Sequence, residues 1–196
     1  MRVRCLVWWA VVVLATLPTC ALLAASFQES FEAHESGVLC GQRGWEASLP
    51  NSAQVQDATV FGGTNAVAMA TNSTVWRTFS DATATNVWVD FYVRLPAPGD
   101  DNQPTLTGSV AAAFFVTSVG AIKAVSNDMW VTLAPDPALA ADTWYRLTVN
   151  LDYGARTWAL YLADSTPNKL ARAVATNLAF SANSTNTYFK RFRVKH

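Results

Sequence analysis

Charge is scarce in this chain of 196 residues: Asp, Glu, Lys and Arg make up 14 %, with 14 basic against 14 acidic side chains, for a formal net charge of zero. The only basic cluster is Lys190, Arg191, Arg193 and Lys195 at the extreme C-terminus, so nucleic acid is not an expected partner. Histidine is limited to His34 and His196, and neither sits in a nucleophile motif such as G-x-S-x-G, which removes the usual triads. Glutamate stops early, at Glu29, Glu32, Glu35 and Glu46. Cysteine amounts to Cys5, Cys20 and Cys40; with so few thiols and imidazoles a closed zinc site cannot be assembled. Beyond the first 26 residues no segment carries apolar side chains at a sustained helical spacing.

That first segment reads as a secretory signal peptide. Arg2 and Arg4 precede an apolar run from Cys5 to Leu17, and small residues follow Pro18. Cleavage after Ala21, Ala25 or Ser26 would leave a mature domain over 27–196, about 170 residues, large enough for one core and small for two. The alternatives are an uncleaved anchor and a lipoprotein signal, since Leu17-Pro18-Thr19-Cys20 is similar to a lipobox. No second apolar stretch of membrane-spanning length follows, so a secreted or extracytoplasmic domain without a membrane span after cleavage is expected. Cleavage removes Arg2 and Arg4, leaving 12 basic against 14 acidic residues, and it leaves Cys40 with no partner for an internal disulfide. Cys40 is expected to be a small buried residue.

What is present is alternation. In Thr143 to Asp164, Tyr145, Leu147, Val149 and Leu151 fall on one face and Trp144, Arg146, Thr148, Asn150 and Asp152 on the other; Trp158, Leu160 and Leu162 repeat the pattern. Asp152-Tyr153-Gly154-Ala155 between them supplies an aspartate and a glycine for a hairpin turn, with positive φ expected at the glycine. Asn86 to Leu95 alternates as strongly: Val87, Val89, Phe91, Val93 and Leu95 oppose Trp88, Asp90, Tyr92 and Arg94. Further strands are expected over 27–32, 54–60, 66–70, 74–79, 122–125, 129–133, 169–175 and 188–195. Val110 to Val116, apolar on both faces, reads as a central strand, and Pro137 to Asp142 as one helical turn. The basic C-terminus reads as a solvated edge strand guarded by its charges. Strands about every 10 residues with turn signals between them predict an all-β sandwich.

The segment FQESFEAHESGVLCGQRGW from Phe27, with Gly41, Gln42, Gly44 and Trp45 in its turn, resembles the opening of secreted bacterial domains of the concanavalin A-like, laminin G-like jelly-roll superfamily. The hairpin WYRLTVNLDYGARTWALYL is similar to that superfamily's central strand pair. The resemblance implies an antiparallel two-sheet jelly roll. It brings in three function classes: sugar-binding lectins, polysaccharide hydrolases, and adhesion or structural modules. It also implies a structural calcium near a loop, for which Asp100 and Asp101 are the candidate ligands; a solvated acidic turn is the competing reading.

Trp88, Asp90, Tyr92 and Arg94 form the candidate ligand face, because sugars offer an apolar ring face and a rim of hydroxyls to aromatic and polar groups. Trp144, Arg146, Asn150 and Asp152 are the second choice. Against both stands packing of the rings under a loop or an edge strand, while Trp45, Trp76 and Trp158 are assigned to the core. A glycosidase needs paired carboxylates, and the strong strands offer only Asp90 and Asp152 singly. The expected function is therefore non-catalytic binding of carbohydrate, as a polysaccharide or cell-surface glycan, or of another extracellular surface. A structural or adhesion module is the rival, and a hydrolase the third class. Asn72 and Asn183 stand in N-x-S/T sequons.

Overall fold

The computed structural model describes residues 27–80, 83–95, 101–106, 109–133, 138–164 and 169–196. The leader and Asp100 lie outside the described residues. Strands run in chain order as β1 (Gly37–Val38), β2 (Trp45–Ala47), β3 (Ala53–Gln56), β4 (Ala66–Met69), β5 (Thr74–Thr78), β6 (Asn86–Arg94), β7 (Phe114–Val116), β8 (Ile122–Ser126), β9 (Met129–Leu133), β10 (Trp144–Asp152), β11 (Thr157–Asp164), β12 (Arg172–Ala179) and β13 (Arg191–Lys195). The protein is all-β: every pairing is antiparallel, and no helix occurs among the described residues. The strands form four sheets, ordered β12-β11-β10-β6, β7-β8-β9, β1-β3-β4 and β13-β5-β2.

The β10–β11 hairpin forms where the alternation places it, and its apolar set is the inner face of the four-stranded sheet. Leu147 faces Leu162, Val149 faces Leu160 and Leu151 faces Trp158, all buried. Each fully buried aliphatic side chain of this kind contributes about 2 kcal/mol. Val87, Val89, Phe91 and Val93 of β6 extend this face, which packs with Ile122, Ala124, Val131 and Leu133 of the β7-β8-β9 sheet. Trp158 is only 1 % exposed, and its indole N–H donates to the Val125 carbonyl at 3.0 Å. A second core gathers Leu39, just after β1, with Trp45, Ala53, Val55, Val75, Phe192 and Val194 of the β1-β3-β4 and β13-β5-β2 sheets. Phe91 and Phe192, ring centroids 5.2 Å apart, join the two cores.

Several segments depart from their sequence reading, each for a local reason. The hairpin's positive φ falls at Arg156 (55°), not at Gly154. Asp152 Oδ1 accepts the Ala155 N–H at 2.9 Å, and Arg156, whose guanidinium donates to the Ser184 carbonyl at 2.9 Å, is tied into the left-handed conformation. Phe27 to Glu32 is not a strand. Glu29 accepts the Phe31 N–H at 2.9 Å, Phe31 takes φ 64°, and its ring packs on Trp45 while Phe27 packs on Phe79, so local hydrogen bonds and two anchored rings replace a ladder.

Val110 to Val116 is a strand only from Phe114, at the edge of its sheet: Ala113 still accepts from Val125 of β8, but Ala111 accepts from Ser181, outside that sheet. No helical turn forms over the described part of Pro137 to Asp142; Asp142 takes φ 55° there. The strand expected over 169–175 lies instead at Arg172–Ala179. Trp76 is half-buried rather than core, because Val75 occupies the inward position of β5 and turns its neighbour outward. Cys40 is likewise half-buried, in the loop after β1.

Candidate functional site

The two candidate faces are one surface. β6 and β10 pair with Trp88 opposite Asn150, Asp90 opposite Thr148, Tyr92 opposite Arg146, Arg94 opposite Trp144 and Asn86 opposite Asp152. All of these side chains lie on the face turned away from the core, since the alternate residues line it. β11 adds Tyr161, opposite Thr148 on the same face. β6 is the edge strand of this sheet.

Trp88 is 59 % exposed and inclines toward Tyr161, with ring centroids 5.7 Å apart at 37°. The two rings make an open apolar platform. Tyr92, although 42 % exposed, is covered on one ring face: Phe61, from the loop between β3 and β4, stacks on it at 3.9 Å and 16°. Phe61 also touches Trp144, centroids 5.8 Å apart. The loop is held by Glu32, which accepts the Thr64 N–H at 2.9 Å, the Thr64 hydroxyl at 2.5 Å and the Asn65 N–H at 3.0 Å. The Thr64 hydroxyl, with the Asn65 and Thr64 amides, holds the Glu32 carboxyl below its ordinary pKa. Gly63 is required here, because its φ is 75° and a Cβ would run into the Glu32 carboxylate.

The polar residues of the face are largely engaged with one another. Asp90 accepts two hydrogen bonds from Arg146 Nε, at 2.9 and 3.0 Å, an ion pair from Arg146 Nη2 at 2.9 Å, and the Thr148 hydroxyl at 2.6 Å. Partial burial acts to raise the Asp90 pKa, but the hydrogen bonds from Arg146 and Thr148, with the Arg146 charge, outweigh it and hold the carboxyl below its ordinary value. The same bond raises Arg146. Arg94 pairs with Asp142 at 3.0 Å, and Asn150 donates to Asn86 at 2.9 Å. Asp152 serves the hairpin turn.

This arrangement favours stacking over acid-base chemistry. A depressed carboxyl cannot act as a general acid at neutral pH. Asp152 stands four residues along β10 from the partner of Asp90, about 13 Å away, beyond the about 5 to 9.5 Å that separates glycosidase carboxylates. Asp101 is engaged by Ser118, accepting its N–H at 3.0 Å and its hydroxyl at 2.7 Å. Among the described residues no three His, Cys, Asp or Glu side chains come together as a metal site. A shallow hollow of about 560 Å³ lies elsewhere, beside Glu35, Ser36, Gln42 and Arg43, where Gln42 and Arg43 close the entry loop on backbone carbonyls.

Tyr161 was legible, since the inward Leu160 and Leu162 place it outward by alternation. Phe61 was not, because a loop residue has no periodicity and its partners Tyr92 and Trp144 lie far along the chain. Against known proteins the chain matches no family model, no curated sequence and no solved structure.

Proposed function

We propose that this chain is a secreted, non-catalytic β-sandwich domain of the concanavalin A-like jelly-roll type that binds a polysaccharide or cell-surface glycan through the outer face of β6, β10 and β11. The observation that carries the reading is the exposed Trp88 beside Tyr161, on a sheet face that also carries Tyr92 and Trp144 among polar side chains. Two rings offer an apolar surface to a sugar ring, and Asn86, Asn150, Thr148 and the Asp90–Arg146 pair provide hydrogen-bonding groups around it. The segment before Phe27 supports secretion by its basic start, apolar run and small-residue end.

Binding isotherms against a panel of neutral and acidic polysaccharides test the proposal. Trp88→Ala should lose about thirtyfold in affinity, the equivalent of a hot-spot side chain worth about 2 kcal/mol, while its melting temperature stays close to wild type. No binding across the panel, or unchanged binding in a stable Trp88→Ala variant, would overturn it. Release of reducing sugar from a bound polysaccharide would move the chain to the hydrolase class.

A structural or adhesion module is favoured by one specific observation: Phe61 covers Tyr92, and Asp90, Arg94 and Asn150 are already paired within the protein. Such a face has fewer groups free for hydroxyls. A panel without binders, together with self-association of the full chain in sedimentation experiments, would support that reading.

A further inference from the structure

The β13-β5-β2 sheet has an outward face of its own, remote in character from the aromatic face of β6. Phe192 and Val194 point into the second core, so Arg191, Arg193 and Lys195 point away from it, and all three are exposed. Register places Arg191 opposite Thr78, Arg193 opposite Trp76 and Lys195 opposite Thr74. Successive outward residues on one strand are about 7 Å apart, so three cations run along roughly 14 Å of the sheet edge. None of the three makes an ion pair among the described residues. Across β5 the register continues from Trp76 to Glu46, the anion on this face, two strands from Arg193 and so about 10 Å away.

We propose that this strip is a second binding surface, for a linear acidic polysaccharide bearing carboxylates or sulfates. A row of unpaired cations attracts a polyanion, and the half-buried Trp76 directly beside the central cation offers a ring surface to the sugars between the anions. Guarding a sheet edge explains charges on β13. It does not explain an indole in register with the middle one, on the same side of the sheet. Nucleic acid fits less well, because the chain as a whole has no net positive charge to draw it and the strip holds a single aromatic residue.

The test uses the full chain and polygalacturonate as probe, with dextran as neutral control and single-stranded DNA and anionic phosphatidylglycerol vesicles as competing polyanions. Wild type should bind polygalacturonate, weakening about tenfold between about 50 and 200 mM salt, as a small number of ion contacts predicts. The triple variant R191S/R193S/K195S changes only exposed side chains, so it should fold. It should lose polygalacturonate binding at least tenfold while keeping its melting temperature. Trp76→Ala, if it keeps its melting temperature, should weaken polygalacturonate more than DNA or vesicles. The proposal fails if wild type does not bind polygalacturonate, or if the triple variant binds it as well as wild type. Equal binding of DNA or vesicles with no effect of Trp76→Ala would also overturn it, by showing a general cation patch with no sugar recognition.

Discussion

Trp158 and Trp88 sit on opposite faces of the same four-stranded sheet, and the difference between them explains most of the molecule. Trp158 is 1 % exposed, its ring enclosed by the main core and its N–H spent on the Val125 carbonyl. Trp88 is 59 % exposed, with Tyr161 as its one aromatic neighbour among the described residues. Identical side chains thus have opposite environments because strand pleating assigns each to a face, and among the described residues the β7-β8-β9 sheet packs on the inner one. On the inner face aromatic area is converted into stability. On the outer face it stays available, and the polar groups beside it are tied together in pairs that fix their positions.

The contrast is broken most directly at Trp158. Trp158→Ala should cost about 3 to 5 kcal/mol in urea unfolding, by cavity formation and loss of the hydrogen bond to Val125; a cost below about 1 kcal/mol would show that the inner face is not the core. Next is Tyr153, buried against Phe180 at the hairpin turn, where burial pushes the phenol up to about 12. A raised folded value means that its contribution is complete below the unfolded value near 10 and is lost as pH rises toward 12, so alkaline melting curves should fall in that window and Tyr153→Phe should flatten the fall. Phe61→Ala should cost about 1 kcal/mol and free a face of Tyr92, read as increased quenching of aromatic fluorescence by acrylamide. If that variant also binds glycan more tightly, the covered half of the outer face joins the platform; weaker binding would make Phe61 itself a contact.

The smallest effect expected is the coupling between Asp90 and Arg146. Both side chains are well solvated, so a double-mutant cycle with Asp90→Asn and Arg146→Gln should give about 0.5 to 1 kcal/mol. Because the folded Asp90 value is depressed, that contribution is present above the ordinary carboxyl range and disappears as pH falls through the folded value. A coupling above about 2 kcal/mol would mean that the outer face is buried against something, which would erase the distinction between the two faces.

The sequence by itself determined the long strands and their faces. In β6 and β10 a two-residue alternation, repeated by Trp158, Leu160 and Leu162 of β11, leaves a single placement that turns Leu147, Val149, Leu160 and Phe91 to the core, and a one-residue slip would turn all of them outward. The polar and aromatic alternates, Trp88, Asp90, Tyr92, Arg146 and Asn150, were therefore legible as outward residues before any contact was known. Tertiary structure alone decided that the two candidate faces are adjacent, because pairing of β6 with β10 joins residues as far apart as Asp90 and Arg146, 56 positions along the chain, and depends on which edge the hairpin offers. It also decided that Phe61 covers Tyr92, that Arg156 rather than Gly154 takes the left-handed turn position, and that Trp76 faces outward beside Arg193. Each of these depends on a neighbour distant in sequence or on a competing local hydrogen bond, and short strands such as β5 carry too few alternations to fix a face by pattern alone.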